Sequence, residues 1–205
     1  DSVPAAEAEI NLAEIAFLNR WFGGHGITRS LLREHVADTD EFTVLDIGAA
    51  SGDFARAIQR TFPRARVTSL DLRPRNLSLA PPPRLAADAF ALPFPTRAFD
   101  FVHCSLFLHH FTDAEVIELL AAMRTTARRA VTLQDLERHP LAYQFLPLTR
   151  PLFRWSPLVL HDGMISVAAA FTAPELHSLA RRAGLRAPRV RRHFPYFRLS
   201  LSAAV

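Results

Sequence analysis

Two spacings of apolar residues divide this chain into helical and extended segments. From residue 10 to residue 22, Ile10, Leu12, Ile15, Phe17, Leu18, Trp21 and Phe22 form a wide apolar helical face, closed by Gly23-Gly24. A second helix is predicted over 27–36. The pattern then shortens to an apolar run over 44–47 that contains Asp46, and to another over 67–72 in which the strand ends at Asp71. Between them Phe54, Ala57, Ile58 and Phe62 share one helical face, so this stretch reads strand, loop, helix, strand. Further on, an amphipathic helix over 114–124 leads to a strand over 130–133 that ends at Gln134-Asp135, where doubly wound sheets collect ligands. Residues 139–165 are rich in large apolar side chains and carry Pro147, Pro151 and Pro157, too apolar for a free loop and too broken for one helix. They read as an inserted helical lid or substrate-pocket wall, with a dimer or membrane-contacting surface as the competing reading. Thr172-Ala173-Pro174-Glu175 is a capping box that starts a helix through Leu176, Leu179 and Ala180 to Gly184. Strands over 190–194 and 196–202, either side of Pro195, form a closing hairpin.

The chemistry concentrates where the first strand turns into the next helix. Gly48 and Gly52 allow turns that a Cβ would block and bring a helix N-terminus close to a ligand. A dinucleotide loop would read G-x-G-x-x-G with its acidic residue only later, on the ribose. Here Asp46 precedes the first glycine by two positions and Ala50 replaces the middle one. A carboxylate so close would repel a pyrophosphate but can organise a zwitterionic, cationic ligand such as S-adenosylmethionine. Asp71, 19 positions after Gly52, can accept ribose hydroxyls; a solvated turn carboxylate is the plain alternative.

Three further segments extend the pattern: Ala87-Asp88-Ala89-Phe90-Ala91-Leu92-Pro93-Phe94, Ala98-Phe99-Asp100-Phe101-Val102-His103-Cys104-Ser105, and Leu106-Phe107-Leu108-His109-His110. In this order and spacing, residues 42–205 resemble the class I S-adenosylmethionine-dependent methyltransferases, in the small-molecule branch that includes quinone-biosynthesis C-methyltransferases. The resemblance implies an α/β fold: a Rossmann-like, doubly wound, mostly parallel seven-stranded sheet with an antiparallel C-terminal hairpin, N-terminal helices and a helical lid insertion after strand five. It also implies a cofactor site of Asp46, Gly48, Ala49, Ala50, Gly52, Asp71, Leu72, Asp88, Ala89 and Ser105, with Asp88 on the adenine amino group. His110 matches the family's recurring His and becomes the catalytic candidate, a base or acceptor-positioning group, whereas His109 is expected to point elsewhere. Two departures stand out: the family's glycine turn before strand five is replaced by Thr125-Thr126-Ala127-Arg128-Arg129-Ala130, and Ala50 adds a methyl beside the ligand's path. An alanine there also occurs in the RNA-2′-O-methyltransferase branch, but that catalytic centre needs lysines and this chain has none.

Composition narrows the partners. With 205 residues, 49% hydrophobic and 21% charged, one domain is expected, with a helical cap over 1–40 and the lid over 139–168. A formal net charge of +4 is mild for a nucleic-acid surface, and the seven arginines from Arg181 to Arg198 read as a solvated helix and edge strand. Cys104 is the single cysteine, an inert core thiol, so no disulfide is expected and a cytoplasmic home follows. No uncharged apolar run reaches roughly eighteen residues and the first nine residues lack a signal-peptide pattern, so neither membrane insertion nor export is expected. Asn19, Arg20 and Trp21 are candidates to face the site from the leading helix. His161-Asp162 reads as a polar turn, and His103, His109 and His110 lack metal-ligand spacing. The expected activity is methyl transfer to a small apolar or aromatic acceptor such as a phenol, quinone precursor or polyketide; the alternatives are an RNA-modifying enzyme and a non-catalytic S-adenosylmethionine-binding module.

Overall fold

The computed structural model describes Phe17 and residues 19–205. The expected helical positions Ile10, Leu12, Ile15 and Leu18 lie outside the described residues. From there the chain runs α1 (Gly24–Arg33), β1 (Phe42–Ile47), α2 (Asp53–Thr61), β2 (Ala65–Asp71), β3 (Arg84–Ala86), β4 (Phe99–Ser105), α3 (Asp113–Thr126), β5 (Ala127–Leu136), α4 (Pro140–Phe153), α5 (Pro157–Ala169), α6 (Ala173–Arg182), β6 (Arg186–His193) and β7 (Arg198–Ala204). The strands form one sheet in the order β3-β2-β1-β4-β5-β7-β6. All neighbours are parallel except β7, which runs antiparallel to both β5 and β6.

Alternation along the strands builds a core on each face. Leu45, Ile47, Val102, Cys104, Val131 and Leu133 point to the side covered by α3 and α6, while Val44, Val67, Phe101 and Ala130 pack with Phe54 and Ile58 of α2 and Leu32 of α1. The chain lays β1, β2 and β3 outward in one direction, then returns to place β4 on the other side of β1. The carboxyl ends of β1 and β4 therefore flank the topological switch point, the crevice where such sheets bind ligands.

Three boundaries differ from the sequence reading, each where charge hides the period. The strand read as 130–133 begins at Ala127, because the exposed Arg128 and Arg129 interrupt the apolar run, and α3 passes into it at Thr126 with no intervening turn. The last two strands span Arg186–His193 and Arg198–Ala204, with Phe194 to Phe197 as the turn; β6 is an arginine-rich edge strand with little apolar alternation to read. Its arginines are partly neutralised in place, Arg191 by Glu34 and Arg192 by Glu137, and Arg198 is not solvated at all but buried. The lid segment folds as two helices separated at Arg154, whose φ of 53° ends α4, and α4 accommodates both Pro147 and Pro151. His161 and Asp162 sit inside α5 rather than in a turn. No described helix is long and apolar enough to cross a membrane.

A polar row crosses the sheet beneath α2. Asp46, His103, Thr132 and Ser202 occupy neighbouring register positions on β1, β4, β5 and β7, all buried. His103 Nδ1 is 3.0 Å from Thr132 Oγ1, its ring stacks on Phe54 with centroids 4.2 Å apart, and Nε2 has no partner. Burial drives its pKa down to about 3, so native His103 is neutral. The unfolded chain takes up that proton near pH 6.5, so stability is complete above that pH and falls on acidification toward about pH 3, by about 1.4 kcal/mol per pH unit. Urea titrations at pH 7 and pH 5 are expected to show wild type losing about 2 kcal/mol more than His103→Gln over that interval. Equal losses would mean that the native ring is free to protonate.

Candidate functional site

The loop after β1 is held in a conformation that its residues dictate. Gly48, Ala50 and Gly52 have φ of 69°, 45° and 72°, so the chain makes successive left-handed turns before Gly52 caps α2. A Cβ at Gly48 would lie 2.5 Å from the Phe107 ring, and one at Gly52 only 2.7 Å from the Ala80 backbone. Both positions therefore exclude a side chain by conformation and by space. The loop hangs on the end of β2: Ala49 N–H donates to the Leu70 carbonyl at 2.9 Å and Ala50 N–H to Asp71 Oδ2 at 3.1 Å. Ala50, the one non-glycine of the three, adopts the left-handed region and its backbone donor is used there.

A cavity of about 450 Å³ opens above this loop. Of the residues expected at a cofactor, Asp46, Gly48, Ala49, Ala50, Asp71, Leu72 and Ser105 line it, joined by Ser51 and Asp53, which the sequence reading did not name, and by Asn19 from the leading segment. Gly52 itself shapes the loop from below. Asp88 and Ala89 are not brought to the cavity: Asp88 accepts Phe90 N–H at 2.9 Å in the turn after β3, and Ala89 is buried in the core. Arg20 and Trp21 do not line it either, and Trp21 is exposed.

The cavity's electrostatics are acidic. Asp46 is 1% exposed with Oδ2 unpartnered, and burial, then the charges of Asp53 and Asp71, hold its pKa well above the ordinary carboxylate value. Asn19 Oδ1 is a second sealed acceptor without a donor. Asp71 uses Oδ2 for Ala50 and Oδ1 for Arg73 N–H at 2.9 Å and Asn76 Nδ2 at 3.0 Å. A carboxylate has about four acceptor positions, so Asp71 retains about one for a ligand hydroxyl. Two orphaned acceptors and three carboxylates suit a ligand with an ammonium group and a positive charge, and they disfavour a pyrophosphate.

A second cavity, of about 290 Å³, lies under the lid and is walled mainly by apolar side chains, including Phe22, Phe145, Leu146, Val159 and Phe197. It shares Leu106 and His110 with the first, so the two cavities meet at the carboxyl end of β4. Although the residue keeps solvent contact, partial burial of the ring and the neighbouring His109 lower the pKa of His110, which favours its neutral form. His109 does not point elsewhere as expected. It also lines the apolar cavity, and its Nδ1 is 2.6 Å from Asp135 Oδ1. Asp135 is buried, which raises its pKa, but His109 and the N–H groups of Leu136 and Leu108 outweigh that and leave it below the usual range. An ionised carboxylate only accepts, so His109 Nδ1 donates to Asp135 and Nε2 is the ring nitrogen left for the cavity. Sequence reasoning flagged Asp135 as a strand-end residue but gave no sign of this pair.

Arg198 joins the polar set from β7. Its Nη1 donates to Gln134 Oε1 at 2.9 Å, and Gln134 Nε2 donates to Ser105 Oγ at 2.5 Å, a chain that runs from the apolar cavity to the loop cavity. Asp162 of α5 is another charged residue on the apolar cavity's wall. Among the described residues no group of three His, Cys, Asp or Glu side chains could hold a metal ion.

A family model described as a methyltransferase domain matches residues 44–129, from β1 into β5. The demethylmenaquinone methyltransferase of Thermotoga maritima is 28% identical over 124 residues, which cover 58% of this chain and 53% of that protein. The chain thus spans about half the length of that curated relative. An S-adenosylmethionine-dependent methyltransferase from Aquifex aeolicus superposes with a TM-score of 0.63 at 15% identity, covering 86% of this chain and 88% of the other. Human N-acetylserotonin methyltransferase, solved with S-adenosylmethionine, gives 0.61 at 17% identity over 98% of this chain and 60% of the other. At these identities the two structures establish the fold.

Proposed function

We propose that this chain is a class I S-adenosylmethionine-dependent methyltransferase and that it methylates a small, largely apolar aromatic acceptor held under the helical segment after β5. The observation that carries this reading is the junction of the two cavities at Leu106 and His110. A volume near 290 Å³ is at the small end for ligand pockets, and its apolar wall suits a ring rather than a phosphodiester backbone.

Asp46 and Asn19 would face the cofactor's ammonium group, and Asp71 a ribose hydroxyl. When bound, the cofactor supplies a methyl group already activated by a sulfonium sulfur, so the protein's share is approach geometry, exclusion of water and, for hydroxyl acceptors, removal of a proton. His109 is placed to remove that proton, because Asp135 fixes its ring and tautomer and the lone pair on Nε2 is left to accept. His110, on the boundary between the cavities, orients the acceptor. The lid residues Phe145, Leu146 and Val159 close the apolar side and keep water out.

The test is methyl transfer from S-adenosylmethionine to a panel of phenols, hydroquinones and alkylpyrones, read as S-adenosylhomocysteine release, beside an RNA panel. Turnover of at least one phenolic class, with no RNA methylation, is the expected result. RNA methylation without any small-molecule turnover would overturn the acceptor class.

A further inference from the structure

Within the apolar cavity one residue is chemically out of place. Arg198 is 3% exposed, on a strand whose other side chains pack in the core, yet it carries a guanidinium with five N–H donors. Gln134 takes one of them. No carboxylate forms an ion pair with it among the described residues, and Asp135, whose charge acts on it, is already engaged by His109. Burial lowers its pKa to about 10, which still leaves it charged at neutral pH. None of its other nitrogens is a sealed orphan, so the little surface the residue exposes includes donors that Gln134 does not use. The cavity that Arg198 lines is the one under the lid.

A buried cation with spare donors is costly unless a partner supplies acceptor oxygens. The protein also holds this one still: Gln134 anchors Nη1, and Ser105 in turn anchors Gln134. A fixed fork of this kind matches a planar sp² oxygen group. Resting on the methyltransferase reading above, we infer that Arg198 is a specificity residue and that the acceptor carries a carboxylate or carbonyl oxygen bound by its guanidinium. The acceptor is then an aromatic ring with two polar ends, one at the His109 and His110 side and one at β7.

Calorimetric titration of the protein saturated with S-adenosylhomocysteine tests this with three probes of similar size: 4-hydroxybenzoate, 4-hydroxybenzamide and 4-ethylphenol. At least one of the two oxygen-bearing probes is expected to bind roughly 10–100-fold more tightly than 4-ethylphenol, the range for hydrogen bonds to a charged group. Tighter binding of the benzoate would assign an anionic acceptor, and equal binding of benzoate and benzamide a carbonyl one. In Arg198→Met the preference is expected to vanish, and in Arg198→Lys to survive for the benzoate. Should the methionine variant fail to fold, the wild-type comparison and the lysine variant decide. Equal binding of all three probes by wild type, or an unchanged preference in Arg198→Met, overturns the inference. Either result with S-adenosylhomocysteine still bound leaves the methyltransferase reading standing, whereas failure of S-adenosylhomocysteine to bind at all sinks that reading first.

Discussion

Replacing His109 by alanine is expected to slow methyl transfer to a phenolic acceptor by roughly 10²–10⁴-fold while leaving S-adenosylhomocysteine affinity within about twofold. The expectation rests on the orientation of the ring: Asp135, buried and ionised, receives the Nδ1 proton at 2.6 Å and leaves Nε2 as the acceptor. Asp135→Asn is expected to lose most of the same rate. An amide can donate to Nδ1, which would place the imidazole proton on Nε2 and remove the base. Because Asp135 also accepts Leu108 N–H at 2.8 Å and Leu136 N–H at 2.7 Å, that variant is expected to melt earlier as well. His110→Ala is expected to act mainly on KM, since among the described residues no carboxylate is hydrogen-bonded to His110 as Asp135 is to His109. Single-turnover rates with saturating cofactor separate these effects, and a His109→Ala enzyme at full rate would assign the proton transfer elsewhere.

The second large effect belongs to the loop. Gly52→Ala forces an L residue to φ 72° and sets its Cβ 2.7 Å from Ala80 Cα. The left-handed conformation costs about 1–2 kcal/mol and the overpacking about 1–3 kcal/mol. A loss of about 2–5 kcal/mol in stability is expected, together with S-adenosylhomocysteine binding weaker by on the order of 10–100-fold, because the loop backbone must move away from its place on β2. Gly26→Ala is the control. A Cβ there meets nothing within 4 Å, and alanine in the first turn of α1 is expected to stabilise by about 0.4–1 kcal/mol with affinity unchanged. Thermal melts with and without ligand measure both variants. A Gly52→Ala protein as stable and as avid as wild type would contradict the steric account of the loop.

What the sequence disclosed and what it hid follow one physical division. The strand, loop and helix around Asp46, Gly48 and Gly52 are local, so their glycines and their period are written contiguously, and Asp71 follows at the next strand end. The helical segment after β5 was legible from its prolines and large apolar residues, although two of those prolines sit inside a helix. The His109–Asp135 pair was not legible because its members are 26 residues apart and meet only where β4 and β5 lie side by side. Arg198 was hidden by company: it ends a run of arginines, and only the antiparallel return of β7 beside β5 turns it inward. Asp88, which the family resemblance points toward the cofactor, lies outside the lining of the loop cavity and accepts Phe90 N–H in a local turn.

Isothermal titration of S-adenosylhomocysteine into the wild-type protein, beside NAD, tests the central claim most directly. Asp46 and Asn19 offer buried acceptors to an ammonium group, and the three carboxylates of the loop cavity oppose a pyrophosphate. Saturable one-to-one binding of S-adenosylhomocysteine, weakened by about 1–3 kcal/mol in Asp71→Ala and accompanied by no heat with NAD, is the predicted result. No binding at millimolar S-adenosylhomocysteine, or tighter binding of NAD, would contradict the account.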